Sequence, residues 1–272
     1  MTASSSADTS VGRYTFDNAT REAAQQVRLL AEILDEHTAD VLIQEGVTTG
    51  WRCLDLGAGA GTVTAWLAEQ VSPTGRVVAI DADPRHIRSH DLVEVRAADV
   101  TTIDLGDGVY DLVHARLLFM HLPQRRQLLR RAVAALAPSG VLVISDWDCT
   151  RLDEMFCDGP PGLAEAFLAF QQALVGIATA NGADAGWARE LPLAMRRAGL
   201  TDVRARLHTE TWDGGTAGCL LHASNSRQMQ DALYRAGVTR AQLDILREGM
   251  SDPHTLAWSY PMVTAVGRRA DN

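Results

Sequence analysis

The sequence predicts an α/β fold in which a mostly parallel sheet is covered by helices on both faces, and three observations predict it. Short apolar runs rich in β-branched residues alternate with stretches of helical periodicity over the first 148 residues. The first run, Trp51 to Leu56, flows into a glycine-rich turn and then a helix. Carboxylates stand where later runs end, at Asp81, Asp99 and Asp146, and the carboxyl edge of an open α/β sheet is where ligands bind.

Composition bounds the answer. A chain of 272 residues has the length of one large domain, and 46% hydrophobic with 22% charged residues is the mix of a globular protein. A net charge of −9 and the lack of a dense Lys/Arg run argue against a nucleic-acid partner. The nearest approach to a basic patch, Arg125, Arg126, Arg130 and Arg131, reads as the solvated face of a helix. Four cysteines, Cys53, Cys149, Cys157 and Cys219, form no Cys-x-x-Cys pair and describe a reduced, cytoplasmic chain. No secretory signal is read at the N-terminus, and no apolar stretch is read as reaching the ~18 residues of a membrane span. Residues 1–11 read as a disordered tail.

The elements follow in order. Val27, Leu30, Leu34, Val41 and Leu42 recur at helical spacing between Arg21 and Ile43, with Thr20 as N-cap and Gly46 as the stop. After the first strand, Thr62 to Val71 reads as a helix. Arg76 to Ile80, Leu92 to Ala97, Tyr110 to His114 and Val141 to Ser145 read as strands two to five. Pro123 opens a helix with the apolar face Leu129, Val133 and Leu136, ended by Pro138 and Gly140. After Asp148 the rhythm breaks. A Pro/Gly-punctuated loop precedes a helix from Leu163 to Ala180, and a second helix spans Leu191 to Ala198. Val203 to Trp212 reads as a sixth strand, Ser226–Ala236 and Arg240–Gly249 as helices, and Ala257 to Val266 as the closing strand. Residues 12–150 therefore form a ligand-binding half. Residues 151–272 complete the same domain, with inserted cover helices at about 151–185 and 215–253.

The turn Gly57-Ala58-Gly59-Ala60-Gly61-Thr62 departs from the dinucleotide pattern G-x-G-x-x-G, because its third glycine comes one residue early. Asp55 sits just before it. A carboxylate there opposes a pyrophosphate but suits a ligand that carries an ammonium group.

At this point the stretch CLDLGAGAGT resembles the first motif of class I S-adenosylmethionine-dependent methyltransferases acting on small molecules. YDLVHARLLFMHLP and PSGVLVISDWD resemble the fourth and fifth strands of that family, so the resemblance covers about residues 12–148. It implies a Rossmann-like three-layer sandwich, a seven-stranded sheet with an antiparallel last strand, and a helical cover. It implies S-adenosyl-L-methionine as cofactor and S-adenosyl-L-homocysteine as product. By the same resemblance Gly57 and Gly59 cradle the cofactor and Asp55 faces its ammonium. Asp81, with Ala82 beside it, chelates the ribose hydroxyls. Asp99, with Val100 beside it, meets the adenine amino group. YTFDN resembles a stretch of related enzymes, which makes Tyr14 and Phe16 candidates for a lid over the cofactor.

Methyl transfer asks mainly for alignment, with a base added for some acceptors. His114, Asp146 and Asp148 are the candidates by position, after strands four and five. His114 has two readings, as a base through its ring or as a ligand to the methionine ammonium through its backbone carbonyl. Asp146 and Asp148 share a face, and either one points at the substrate or serves as a cap or turn. His121, in an apolar setting, reads as a core histidine. His86 and His90 have the spacing of metal ligands on a helix but lack a third partner, so no metal is expected. The Asp-Asn cluster of magnesium-dependent catechol enzymes is absent. Met155, Phe156, Phe167, Phe170, Leu220, Leu221, Met229, Tyr234 and Met250 divide between core packing and an apolar cover over the substrate.

The expected activity is methyl transfer to a mid-sized, partly apolar small molecule, such as a secondary-metabolite intermediate. The expected partners are that substrate, no nucleic acid, no membrane, and at most a second copy of the chain. The alternatives are a cofactor-retaining cyclase or scaffold and, opposed by the glycine spacing, a nicotinamide-dependent oxidoreductase.

Overall fold

The computed structural model describes residues 21–271, with side chains from Gln25 onward. The expected tail, the Thr20 cap and the lid residues Tyr14 and Phe16 lie outside the described residues. In chain order the strands are β1 (Arg52–Leu56), β2 (Arg76–Asp81), β3 (Val93–Ala97), β4 (Tyr110–Arg116), β5 (Leu136–Trp147), β6 (Phe156–Asp158), β7 (Thr201–His208), β8 (Thr211–Asp213), β9 (Leu256–Trp258) and β10 (Met262–Arg268). The helices are α1 (Arg21–Gln44), α2 (Thr62–Val71), α3 (Arg125–Ala135), α4 (Leu163–Ala180), α5 (Trp187–Arg197), α6 (Ala217–Gln228), α7 (Gln230–Arg235) and α8 (Arg240–Gly249).

Seven strands form one sheet in the order β3-β2-β1-β4-β5-β10-β7. Strands β1 to β5 run parallel, and β10 lies antiparallel between β5 and β7. The period-two alternation of a strand sorts its side chains to two cores. Cys53, Leu112 and Val143 face Leu42 of α1 and Leu67 of α2, while Leu54, Val113 and Leu142 lie in the core that holds Leu128 and Leu129 of α3. Burial on both faces is why β2 and β5 read as unbroken apolar runs. A second sheet, β6-β9-β8, is antiparallel and belongs to the cover.

Several expectations are corrected. Pro138 and Gly140 lie inside β5 rather than ending a helix. The single strand expected over 203–212 is split into β7 and β8, and that over 257–266 into β9 and β10. The second split falls at Pro261, which cannot donate to a ladder. A helix expected from Ser226 begins at Ala217 and breaks after Gln228. His86 closes a short 3₁₀ turn opened by Pro84, and His90 lies beyond it in extended chain, so the two never share a helix face. His90 instead accepts the Leu92 N–H at 3.1 Å.

The arginine cluster is not a uniformly solvated face. Arg125 donates to the carbonyls of Phe119 and Gly182 and pairs with Asp184, and Arg131 donates to the carbonyls of Val100, Thr101 and Ile103. Five fixed donors let a guanidinium saturate several loop carbonyls at once. The 18-residue α4 is long and apolar enough by length and composition to cross a membrane, contrary to the sequence reading. One face of it packs into the core, with Leu163, Phe167 and Phe170 fully buried, while most of its other residues are partly or fully exposed.

Candidate functional site

The carboxyl edge of β1 carries the glycine turn. Gly57 and Gly61 have φ of 69° and 72°, a left-handed backbone that favours glycine. Space excludes a side chain as well: a Cβ on Gly57 would stand 3.0 Å from Leu118, and one on Gly61 would stand 2.9 Å from Ile87. The N–H groups of Gly57 and Ala58 donate to the Ile80 carbonyl at 2.8 and 3.2 Å, which pins the turn to β2. No side chain caps α2 as it opens after Gly61. Its first N–H groups and positive dipole end are therefore available to a ligand.

The carboxylates around this turn have distinct duties. Asp81, at the end of β2, accepts the Gly59 N–H and the Asp83 N–H, each at 2.8 Å, and thereby fixes the loop. Each oxygen keeps acceptor capacity for a ligand hydroxyl. Ala82 follows it, exposed. Asp99 is exposed, and its Oδ1 accepts both the N–H and the hydroxyl of Thr101, at 2.8 and 2.7 Å. Val100 beside it is buried.

Asp55 and His114 depart from expectation. Asp55 is 2% exposed; one oxygen accepts the Thr64 hydroxyl at 2.6 Å and the other lies 2.8 Å from His114 Nδ1. The carboxylate is thus engaged beneath the turn instead of presented to an ammonium. Its partner His114 is 1% exposed. This imidazole anchors β4 to β1, where the two residues are register neighbours, and it has no open path to an acceptor. Only its backbone reading is carried forward.

Asp146 and Asp148 also separate. Asp148 is buried, accepts the N–H and hydroxyl of Thr150 and pairs with Arg189, which makes it a turn former. Asp146 is fully buried and accepts the Met120 N–H at 3.1 Å. Burial pushes its carboxyl up to about 8, against the lowering effect of two backbone N–H bonds and of Arg125. His121 is partly buried rather than a core histidine, and burial and Arg125 lower its pKa to about 4.

Sequence reasoning missed three groups. Thr64 was unremarkable until β1 and α2 placed it on Asp55. Arg116 binds Asp35 and Thr38, each at 2.8 Å, and Asp35 accepts the Thr62 hydroxyl at 3.2 Å. These bonds tie α1 to the end of β4 and the start of α2. In the cover, fully buried His222 is ringed by Phe167, Phe170, Trp212 and Tyr260, with centroids 5.1 to 6.2 Å away. Tyr260 donates to Gln171 and lies 5.0 Å from Trp147 at the end of β5. This cluster therefore stands over the carboxyl edge of the sheet. Burial lowers the His222 pKa to about 3, so the ring is neutral.

This strand order, with antiparallel β10 between β5 and β7 and a glycine turn at the edge of β1, is the Rossmann-like fold of class I methyltransferases. Residues 54–144 match the family described as "Methyltransferase domain". Among curated relatives, erythromycin 3''-O-methyltransferase of Saccharopolyspora erythraea is 30% identical over 129 residues, 44% of this chain and 42% of that protein. Trans-aconitate 2-methyltransferase of Variovorax paradoxus is 37% identical over 97 residues, 34% of this chain and 37% of that protein. The chain thus spans less than half the length of these relatives. A methyltransferase-like structure from Bacillus halodurans superposes with a TM-score of 0.56 at 16% identity, covering 86% of this chain and 99% of that one. Phosphoethanolamine N-methyltransferase 2 of Haemonchus contortus, solved with S-adenosylhomocysteine, gives 0.57 at 14% identity, covering 92% and 58%.

Proposed function

We propose that the protein transfers the methyl group of S-adenosyl-L-methionine to a mid-sized, partly apolar small molecule. One observation carries the reading: the left-handed glycine turn, the uncapped start of α2 and the Asp81 carboxylate converge on one corner of the sheet edge. In this reading Asp81 takes the two ribose hydroxyls with the lone pairs that Gly59 and Asp83 leave open. Asp99 and Val100 flank the adenine. The uncapped α2 terminus and the backbone at His114 receive the methionine end.

The sulfonium supplies an already activated methyl group, so the chain's residues contribute alignment and exclusion of water. The aromatic cluster of Phe167, Phe170, Trp212 and Tyr260 gives the cover an apolar interior, which suits a partly apolar acceptor. The matched relatives include an enzyme named for an antibiotic, which supports a secondary-metabolite acceptor. Calorimetry with S-adenosylhomocysteine, followed by transfer of labelled methyl groups to a panel of macrolides and phenols, tests this reading. Saturable binding and labelled product are expected. Binding of NADH in place of S-adenosylhomocysteine would overturn it.

A further inference from the structure

The turn between β4 and α3 reaches back over the glycine loop, and its conformation is not self-supporting. Leu117 has φ of 52°, in the left-handed region that a leucine rarely adopts. Its N–H donates to the Ser145 carbonyl at 2.8 Å. The next residue, Leu118, fills the space where a Gly57 side chain would stand, 3.0 Å away. A strained backbone persists only where its surroundings hold it in place.

The holding group is Asp146, two strand positions before Asp148 and fully buried. Its Oδ2 accepts the Met120 N–H at 3.1 Å, and the Leu118 N–H is near enough to favour its ionised form. Its Oδ1 is buried and has no partner among the described residues. A hydrogen bond from this buried side chain to the middle of the turn fixes the turn's orientation. We propose that Asp146 is a positioning residue of the cofactor site: a buried carboxyl group that holds residues 117–121, and Leu118 with them, against Gly57. It acts through the turn and does not accept a proton from the substrate. This rests on the reading of the cofactor site given above.

The groups packed around Asp146 leave it as the one that changes state near neutrality. Arg125 of α3 faces it and is itself paired with Asp184. His121, in the same turn, is neutral above about 4. Cys149 beyond β5 is held as a thiol by burial and by the nearby Asp148 and Asp146. Asp148 is occupied by Arg189 and Thr150. Burial has pushed Asp146 up to about 8, so the neutral form that needs no solvent dominates at neutral pH. Above that value a buried charge develops, and its desolvation cost opposes the packed arrangement of the turn even though the ionised oxygen is the stronger acceptor.

The test is calorimetric titration of S-adenosylhomocysteine into wild type, Asp146→Asn and Asp146→Ala at about pH 6.5 and about pH 9, with thermal melts alongside. Asparagine keeps the acceptor oxygen and removes the titration. Its affinity is expected within roughly threefold of wild type at the lower pH, and its pH response smaller than that of wild type. Alanine removes the clamp, and affinity is expected to fall roughly tenfold or more at both pH values. The melts supply a second reading. A raised carboxyl pKa gives stability that is full below about 3.8 and lost as pH rises to about 8, so Asp146→Asn should melt above wild type near pH 8, with the gap closing toward pH 4. Wild-type affinity in Asp146→Ala, or the same pH response in wild type and Asp146→Asn, would overturn this inference alone. Absence of binding by wild type would overturn the proposed function and this inference with it.

Discussion

The glycine edge and the cover treat buried polarity in opposite ways. At the edge, Asp55, Asp81 and Asp99 each give their oxygens to neighbours, and the loop they surround is fixed before any ligand arrives. In the cover, α6 turns His222, Ser224 and Asn225 inward, and His222 Nε2, Ser224 Oγ and Asn225 Oδ1 have no hydrogen-bond partner among the described residues. A buried polar atom without a partner costs about 1–3 kcal/mol, and folded proteins keep few of them. The first region has a single arrangement built into its hydrogen bonds. The second relies on aromatic packing and gathers unmet polar atoms on one helix, whereas at the edge His114 Nε2 and Asp146 Oδ1 are unmet beside groups that are bonded, so the two should respond differently to the same kinds of perturbation.

Four experiments break or sharpen that contrast. The largest effect is expected from Gly57→Val. The side chain would meet Leu118 on a backbone of positive φ, and S-adenosylhomocysteine affinity should fall roughly 100-fold or more with an unchanged circular dichroism spectrum. Near-normal affinity would show that the loop does not lie against the cofactor. Next, Asp81→Ala removes both proposed ribose contacts and the Gly59 tether, so affinity should fall about tenfold or more. Hydrogen exchange at Gly59 should quicken in the same variant, and slow exchange there would separate Asp81 from the loop.

The cover is probed by acid. Burial lowers the folded-state pKa of His222 from 6.5 to about 3. Its contribution to stability is present above about 6.5 and is lost as pH falls toward 3, because the unfolded chain takes up the proton first. His222→Gln should therefore lose less melting temperature than wild type between about pH 7 and pH 4, and its cofactor affinity should stay within about twofold. Parallel losses in the two proteins would exclude His222 from the acid response. The smallest effect is expected from Arg126→Ala. It breaks an exposed pair with Glu190 and a contact over the Trp187 ring, and it should cost about 1 kcal/mol at most in denaturant unfolding. A larger loss would mean that the α3–α5 contact does more than the exposure of this pair implies.

The same contrast governs what the sequence disclosed. The glycine edge is written in local patterns: a β-branched run, a turn of glycines at fixed spacing, then a helix. Its strands and Asp81 could be placed from residue order alone. The helices α4 and α8 were equally legible, and Thr239 and Gln242 form a capping box at the start of α8 that the sequence reading passed over. Helix α6 was not, because Ala217 to Ser226 is buried almost all round and therefore shows no apolar stripe. The cover sheet escaped notice because β6, β8 and β9 are three residues each and pair across distant segments. The partners of Asp55, His114 and Asp148 were not legible for a related reason. Position on a strand end places a side chain near a site, but the partner that captures it comes from elsewhere: Thr64 for Asp55, and Arg189 for Asp148.

The place of β10 has a consequence for how the chain is made. It is the last strand, yet it inserts between β5 and β7, pairing with residues as far back as Val141. Until Met262–Arg268 arrives, β5 has an open antiparallel-competent edge and β7 has no neighbour on that side. Such unpaired edges are templates for pairing with other chains, and sheets completed by distant segments close slowly. During synthesis, the ribosome releases the strand that seals the sheet only after both of its neighbours have been exposed, so the interval before release is when this protein is most open to aggregation and most dependent on chaperones.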